Sequence, residues 1–476
     1  MRICPRETGY NRLGMTTLTR RHFPLVIGSL ALRLRATTAP ALEGPWSEPA
    51  VVHKVYLSGT QLHWPKPTLD VQQEVAHVEA RLAEVERKHR GRVRFVGGEL
   101  LRTREEILAW ARNLADVDAV LVTYVSIPSP LGDLLDAVKH PVLVLALPYA
   151  GHHWAGIAAR RKSRGKLEVV ASSSYGELDP YMAIFRTIRH LRKSKILVVA
   201  MRPENLEKLA AGFTAQYGTT IKFLTYDDLH EAFRAADRER ARKEAQELVR
   251  GALRVVEPKP AEIEDAVRYY HGVCEILRRE QANAMTVDCF GGLLARKMPA
   301  YPCVAWSKLN DMGLYGVCEA DLRSTMTQLL VTSYSGMPGF VSDPVFDTSR
   351  NEVIHAHCVS ATRMKGIGGP ASPYILRNHL ETNDGVVMQV LMPAGETITC
   401  AEFRDPTTML VSTAEVTAAE DSDRGCRTQI RTRVKDAEKW LHSYSGGLHR
   451  VIFYGDHVAA LEKMGRLMGF EVVHEM

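Results

Sequence analysis

The spacing of apolar positions changes along the chain, and each type of spacing predicts a different kind of element. After residue 50, short runs of β-branched residues alternate with stretches that carry apolar residues at helical spacing. This alternation predicts strands at 51–57, 93–96, 119–125 and 142–147, with helices at 69–88 and 104–114. Strands that alternate with helices are typical of a parallel sheet. The pattern therefore predicts a doubly wound, Rossmann-like α/β domain over 42–190.

The same alternation continues after residue 190 and predicts a second Rossmann-like α/β domain over 191–330. Strands are expected at 195–200 and 220–224, with helices at 203–217, 226–250 and 261–281. The helix expected at 226–250 is long and charged, and Pro258-Lys259-Pro260 separates it from the next one.

The composition changes after residue 330, where glycine, proline and threonine become more frequent. Strand-like runs dominate this part and are expected at 352–359, 385–392, 397–403, 408–416 and 448–454, with a last helix at 459–468. The pattern predicts a β-rich, barrel-like C-terminal domain over 331–476. The expected fold class is therefore α/β, with two Rossmann-like domains followed by a β-rich domain.

The first 41 residues carry the net charge of the whole chain. They contain seven arginines and one acid, a net charge of +6, which equals the formal charge of all 476 residues. The rest is neutral overall and lacks the basic surface typical of proteins that bind nucleic acids. Composition therefore argues against nucleic acid as a partner.

Residues 1–41 also resemble an export signal. Thr19-Arg20-Arg21-His22-Phe23 is similar to a twin-arginine motif, an apolar run follows at 24–32, and Ala39-Pro40-Ala41 fits a cleavage site. We expect a twin-arginine leader and an exported, periplasmic protein. The alternative is a cytoplasmic enzyme with an N-terminal extension. Beyond the leader, no stretch reaches the roughly 18–20 apolar residues that span a bilayer, so no membrane association of the mature form is expected.

The eight cysteines are widely spaced, and none forms a Cys-x-x-Cys pair. This spacing argues against a zinc ribbon and a redox motif. It also differs from a disulfide framework, so most of these residues are expected to be buried, reduced thiols.

Acids and histidines in the second half of the chain are the candidates for chemistry. They lie in four segments: Cys318-Glu319-Ala320-Asp321, Ser342-Asp343-Pro344 before a loop, His355-Ala356-His357 on one strand face, and Gly446-Gly447-Leu448-His449. Taken singly, each has a structural explanation as a helix-start acid, a turn residue or a packed histidine. Together they indicate a hard-metal site with oxygen and nitrogen ligands, suited to Mn²⁺ or Mg²⁺ rather than zinc.

The same segments resemble a known family. The run from Gly316 to Asp321, Asp343 twenty-four residues after Glu319, the strand around His357 and the turn at His449 are similar to the C-terminal half of the L-fucose isomerases, with the L-arabinose isomerases as more distant relatives. The resemblance implies a metal-dependent aldose–ketose isomerase that acts on a free pentose or deoxyhexose, such as L-arabinose or L-fucose, through an enediol. The implied cofactor is Mn²⁺, with Mg²⁺ or Co²⁺ as alternatives.

The resemblance also implies roles for individual residues. Glu319 and Asp343 would be metal ligands and the proton-transfer pair, and His449 would be the third ligand, with His457 as its rival. His357 would bind the metal or touch the substrate. His355 would support the strand or the ligands.

A homo-oligomer is implied as well, because members of the family form trimers or hexamers in which a first-domain loop covers the site of a neighbouring subunit. The matching loop is Tyr149-Ala150-Gly151-His152-His153-Trp154, where Trp154 and His153 would contact the sugar. The alternative for this loop is an aromatic residue packed at a domain boundary.

Two other functions remain open at this point. One is a sugar-binding protein that kept the fold and lost the chemistry. The other is a nucleotide or phosphosugar enzyme that uses the turn Gly366-Ile367-Gly368-Gly369-Pro370. This turn lacks the Lys-Ser/Thr of a P-loop, which favours a simple connection between strands.

Overall fold

A five-stranded parallel sheet forms the first part of the chain. The computed structural model describes residues 48–475, so the expected leader over 1–41 lies outside the described residues. The strands are β1 (Ala50–Leu57), β2 (Val93–Leu101), β3 (Ala119–Tyr124), β4 (Val142–Ala146) and β5 (Leu167–Ala171), in the order β2-β1-β3-β4-β5. The helices are α1 (Val71–Lys88), α2 (Arg104–Arg112), α3 (Leu131–Ala137), α4 (Ile157–Arg164) and α5 (Asp179–Lys193).

This sheet has an apolar core on each face. In β1, Val52 and Tyr56 pack into one core, whereas Val55 and Leu57 pack into another. Every residue of β3 and β4 is buried. Burial on both faces explains why the strands read as continuous β-branched runs in the sequence.

A second parallel sheet follows, with four strands in the order β7-β6-β8-β9. The strands are β6 (Lys195–Val199), β7 (Thr220–Leu224), β8 (Ala284–Val287) and β9 (Tyr315–Cys318). The helices are α6 (Glu207–Tyr217), α7 (Tyr226–Ala235), α8 (Arg238–Gly251), α9 (Pro260–Glu280), α10 (Cys289–Leu294), α11 (Cys303–Asp311) and α12 (Leu322–Ser335).

The prediction of a single helix at 226–250 is wrong, because the chain forms two helices there, α7 and α8. Ala236 and Asp237 adopt extended conformations between them. The Asp237 carboxylate accepts hydrogen bonds from the backbone N–H groups of Glu239 and Arg240, at 2.9 and 3.1 Å. A side chain that caps a new helix in this way ends the previous one.

The C-terminal part is an antiparallel barrel. The strands of this part, in chain order, are β10 (Phe340–Asp347), β11 (Glu352–His357), β12 (Tyr374–His379), β13 (Asp384–Val390), β14 (Thr397–Asp405), β15 (Thr408–Glu420), β16 (Thr428–Arg433), β17 (Arg450–Tyr454) and β18 (Glu471–His474). Strands β12 and β13 form a separate hairpin. Six strands close in the order β14-β17-β10-β11-β16-β15, because β15 also pairs with β14. Closure leaves these strands without a long free edge. Two helices, α13 (Ala437–Ser443) and α14 (Val458–Met468), complete this part.

The predicted mixed α/β architecture, with parallel sheets and a barrel-like C-terminal region, is confirmed in these elements. The domain borders predicted at 190/191 and 330/331 stay predictions. One local expectation is wrong, since Asp343 was expected beside a loop but lies inside β10, opposite Ala356 of β11. No helix within residues 48–475 is long and apolar enough to cross a membrane.

Helix α12 connects the second sheet to the barrel. Its residues from Leu322 to Ser333 are buried with the exception of Arg323, because it packs against α5 on one side and against β14 of the barrel on the other. A helix buried around most of its circumference loses the usual polar stripe. The start of α12, directly after β9, therefore lies where the parallel sheet meets the barrel.

A buried ion pair holds the end of the chain against the barrel. Arg450 is fully buried at the start of β17, and its guanidinium donates two hydrogen bonds to Glu475, at 2.8 and 2.5 Å. The same guanidinium donates to the carbonyl oxygens of Ser445 and His449, both at 2.7 Å. Arg450 therefore shapes the loop that leads into β17.

We expect Glu475→Gln to lower the unfolding free energy by about 3–5 kcal/mol, because it leaves the buried Arg450 cation without its anion. The exposed Glu471, also near the C-terminus, offers a matched control, and Glu471→Gln should change stability by less than about 0.5 kcal/mol. Scanning calorimetry of the two variants measures the difference. Equal unfolding temperatures for both would contradict the assigned importance of the pair.

Candidate metal centre

The turn between β9 and α12 places Glu319. This residue and Ala320 follow β9 with φ of +63° and +51°, and Asp321 then begins α12. Left-handed backbone is strained for residues other than glycine, and two in succession are uncommon. Such strain is concentrated at functional sites, where the surroundings enforce it. The strained turn makes the Glu319 carboxylate, which is 42% exposed, a candidate functional group.

Three further candidates come from neighbouring barrel strands. Asp343 lies in β10, His357 is the last residue of β11, and His449 directly precedes β17. Because β10 pairs with both β11 and β17, these three residues meet at one end of the barrel. That end faces the carboxyl end of β9.

The four side chains converge. The Nε2 atom of His449 lies 3.4 Å from Oδ1 of Asp343 and 3.6 Å from Oε2 of Glu319. The Nε2 atom of His357 lies 3.7 Å from Oε1 of Glu319. One donor atom each from Glu319, His357 and His449 can be chosen so that all lie within 4.8 Å of one another. Donor atoms that share an ion at about 2.0–2.2 Å lie at comparable mutual distances, so the group has the size of a metal shell.

Two buried atoms in this group support the fit to a cation. Within residues 48–475, neither Asp343 Oδ1 nor His449 Nε2 has a hydrogen-bond partner, although both are shielded from solvent. Unpartnered buried polar atoms are costly, and a cation between them would satisfy both. Two carboxylates and two imidazoles form a donor set that suits Mn²⁺ and related divalent ions.

Charges within the cluster stabilise one another. Burial disfavours the cationic form of His357, but Glu319 and Asp343 outweigh this effect and raise the pKa of His357 to about 9. The contact with His357 in turn lowers the pKa of Glu319, although partial removal of this carboxylate from water acts in the opposite direction. Negative carboxylates therefore attract positive charge to this point, and a bound dication would displace the proton from the imidazole.

Asp321 orients His449. Its Oδ2 atom lies 2.7 Å from Nδ1 of His449, and its Oδ1 atom accepts hydrogen bonds from the backbone N–H groups of Arg323 and Ser324. The carboxylate thus caps α12 and fixes the proton of His449 on Nδ1. Nε2 is left as the nitrogen that can bind a metal.

The alternative histidines lie elsewhere. His457 directs Nε2 to the carbonyl oxygen of Tyr454 at 2.8 Å, at the start of α14 and outside the cluster. His355 is buried behind β10, where its Nδ1 atom contacts the Ser342 hydroxyl at 3.1 Å. Burial lowers the pKa of His355 to about 3, which leaves it neutral.

Trp154 and His153 are not brought to the cluster in the part of the chain described. His153 bonds to the hydroxyl of Ser129 at 2.9 Å, and Trp154 contacts the ring of His152. Both contacts are within loops of the first sheet. Trp154 is half exposed.

The sequence pattern did not predict one wall of the site, which is formed by the end of β12 and the turn between β12 and β13. His379, the last residue of β12, and Glu381, on the turn, interact electrostatically with Glu319 and His357. The ring of Phe290, in α10, stacks on His379 with centroids 6.5 Å apart. Strand β12 lacks an alternating pattern, so the only sequence signal was a histidine and a glutamate two positions apart.

The turn 366–370 is a connection before β12, with φ of +125° at Gly366 and +78° at Gly368. The N–H of Ile367 donates to the carbonyl oxygen of Gly336 at 2.9 Å. It neither follows a strand directly nor opens a helix, which disfavours a phosphate-binding loop.

Comparison with known proteins finds one distant similarity to a sugar isomerase. No family model matches the chain. A sulfoquinovose isomerase from Clostridium sp. (strain MSTE9) is 28% identical over 151 residues, which cover 30% of this chain and 32% of the relative. The match thus spans about a third of the relative's length. It supports a relationship to sugar isomerases, whereas membership of the fucose and arabinose isomerase group stays a prediction.

We expect Asp321→Asn to weaken Mn²⁺ binding by about 10- to 100-fold, the usual effect of losing the partner of a ligating histidine. The asparagine amide would donate to Nδ1 and move the histidine proton to Nε2. Asparagine remains a good helix cap, so α12 should persist. Calorimetric titration with Mn²⁺ measures the change. Asp70→Asn, which alters the cap of α1, is the matched control and should bind Mn²⁺ normally.

Proposed function

We propose that this chain is a metal-dependent aldose–ketose isomerase that acts on a free sugar through an enediol. The observation that carries the proposal is the convergence of Glu319, Asp343, His357 and His449, with two buried, unpartnered donor atoms aimed at one point. The distant similarity to a sulfoquinovose isomerase supports the reaction class. The proposed cofactor is Mn²⁺, with Mg²⁺ or Co²⁺ as alternatives.

The reaction moves a proton from C2 of the sugar to C1 and a second proton from the C2 oxygen to the C1 oxygen. The bound ion would supply positive charge that stabilises the enediolate. Glu319 and Asp343 are the proposed proton-transfer pair, because a carboxylate can remove a carbon-bound proton and return it as a carboxylic acid. Their side chains are 42% and 30% exposed, so both can reach a bound sugar. The buried His357 would hold Glu319 in position or donate to a sugar oxygen.

We also propose that the enzyme is a trimer or hexamer in which the first-sheet loops of one copy cover the site of the next. Exposed aromatic side chains on these loops support the proposal: Trp64 after β1, and Tyr149 and Trp154 after β4, are 40%, 78% and 50% exposed. Large exposed aromatic residues are typical of contact surfaces. In such an oligomer Trp154 and His153 would contact the sugar of the neighbouring copy. Export through the leader over 1–41 stays a prediction.

The competing function is a sugar-binding protein that lost the chemistry. Binding alone does not require two carboxylates beside two histidines, which favours the isomerase. The decisive measurement incubates metal-stripped protein with a panel of aldoses in D₂O, with and without Mn²⁺. The panel contains L-fucose, L-arabinose and sulfoquinovose, and NMR follows ketose formation and deuteration at the exchanged carbon. Ketose that depends on Mn²⁺ identifies the isomerase, whereas sugar binding without exchange identifies the binding protein.

Glu319→Gln and Asp343→Asn should each lower kcat by about 10²- to 10⁴-fold, because the amides cannot take up a carbon-bound proton. Asp347→Asn, at the last residue of β10, is the control and should keep normal turnover. Circular dichroism and unfolding temperature establish that the variants are folded. Full activity of a folded Asp343→Asn variant would contradict its role in proton transfer.

A further inference from the structure

A buried carboxyl group lies behind the metal centre. Glu402, in β14, is 1% exposed and faces the start of α12. The Ser324 hydroxyl lies 3.3 and 3.2 Å from its two oxygens. The same hydroxyl lies 2.8 Å from Oδ2 of Asp321, the atom that also binds His449. A continuous row of contacts therefore leads from Glu402 through Ser324 and Asp321 to His449.

The surroundings of Glu402 do not neutralise a negative charge. The nearby Arg450 is already paired with Glu475, and the guanidinium of Arg323 donates to the carbonyl oxygen of Arg404. The nearby Asp321 is itself an anion. Burial, reinforced by the charge of Asp321, raises the pKa of Glu402 well above its ordinary value. A buried carboxyl group without a paired cation favours the neutral form, which has one proton to donate.

The direction of each hydrogen bond follows from counting protons. Ser324 has one hydroxyl proton, and the shorter contact, to Asp321, uses it. Ser324 can then only accept from Glu402, which donates its acid proton. Asp321 accepts from Ser324 and from Nδ1 of His449, and its other oxygen accepts two backbone N–H groups. Every donor in the row points toward Asp321.

We propose that Glu402 is a positioning residue that acts through Ser324 and Asp321 to keep His449 presenting Nε2 to the metal. The inference rests on the proposed metal site and names a residue outside it. When Glu402 donates to Ser324, the Ser324 hydroxyl keeps its own proton directed at Asp321. The Asp321 carboxylate then has all of its hydrogen bonds made. A carboxylate with all of its hydrogen bonds made keeps one position and accepts the Nδ1–H of His449.

Replacing Glu402 by an apolar residue should keep or raise the stability of the protein and weaken its binding of Mn²⁺. An apolar side chain of similar size would pack well between β14 and α12 and would remove a buried polar group. We expect Glu402→Met to keep or raise the unfolding temperature of the metal-free protein, while the Kd for Mn²⁺ rises by about 10-fold. A residue with a purely structural role would not separate these two quantities.

Two further variants make the test specific. Glu402→Gln keeps a donor, the side-chain amide, toward Ser324 and should bind Mn²⁺ within about 3-fold of the unaltered protein. Ser324→Ala interrupts the row and should weaken binding as much as Glu402→Met. The double variant Ser324→Ala/Glu402→Met should be no worse than either single variant, because both remove the same connection.

Calorimetric titration of the full chain with Mn²⁺ gives all of these Kd values, and a thermal scan of each metal-free variant gives stability. Unchanged Mn²⁺ affinity in folded Ser324→Ala would overturn the inference, as would equal losses in Glu402→Gln and Glu402→Met. These outcomes leave the isomerase proposal intact. If the unaltered protein does not bind Mn²⁺ at all, the metal-dependent function and the role of Glu402 fail together. Should Glu402→Met not fold, Ser324→Ala and Glu402→Gln still decide the question.

Discussion

The hydrogen bond between Asp321 and His449 joins the two parts of the molecule that build the site. Asp321 follows the last strand of the second parallel sheet, and His449 precedes a barrel strand, yet their side chains are 2.7 Å apart. Asp321 is also the cap of α12, so the start of that helix and the orientation of the imidazole depend on one carboxylate. The distances from His449 to the carboxylates of Glu319 and Asp343 therefore depend on how firmly α12 is held between α5 and the barrel. Since α12 is buried along most of its length, this packing keeps the four side chains in fixed positions relative to one another.

The residues around the site are not those that would maximise stability. Glu319 and Ala320 are held in left-handed backbone, and Glu402 is a buried carboxyl group without a paired cation among the described residues. Each arrangement lowers stability by about 1–3 kcal/mol relative to a relaxed or apolar alternative. The large cores on both sides of α12 offset these costs. Departures from stable packing that are concentrated in one place are expected at a functional site.

The central strands β3 and β4 could be predicted because they are buried on both faces, which makes each of them an almost uninterrupted apolar run. The break between α7 and α8 could not, since the charged pattern continues across it and only the cap at Asp237 ends the first helix. Asp343 was placed at a loop because a proline follows it. Pro344 fits within β10 because the pairing with β17 ends at Ser342, so at Pro344 the strand pairs, within residues 48–475, only with β11 and its other edge is open. The resemblance predicts Glu319, Asp343, His357 and His449 as one site, and the structure brings these side chains close together. The wall formed by His379 and Glu381 depends on a hairpin register that no local pattern encodes.

The thiols next to the candidate ligands bear on which metal the centre would take. Cys318 precedes Glu319 and Cys358 follows His357, so two soft donors adjoin a set of oxygen and nitrogen donors. A hydrogen-bonding contact with Cys289, together with burial, raises the pKa of the Cys318 thiol well above its usual range, and a contact with Cys426 does the same for Cys358. A neutral thiol is a poor metal ligand, because binding requires the thiolate. Within the described residues, the group of side chains close enough to share an ion contains no cysteine. Cys318 and Cys358 lie in the apolar core, whereas the neighbouring carboxylate and imidazoles lie in the cluster of candidate ligands. The proposed preference for Mn²⁺ therefore depends on the oxygen and nitrogen donors alone, with no contribution from sulfur.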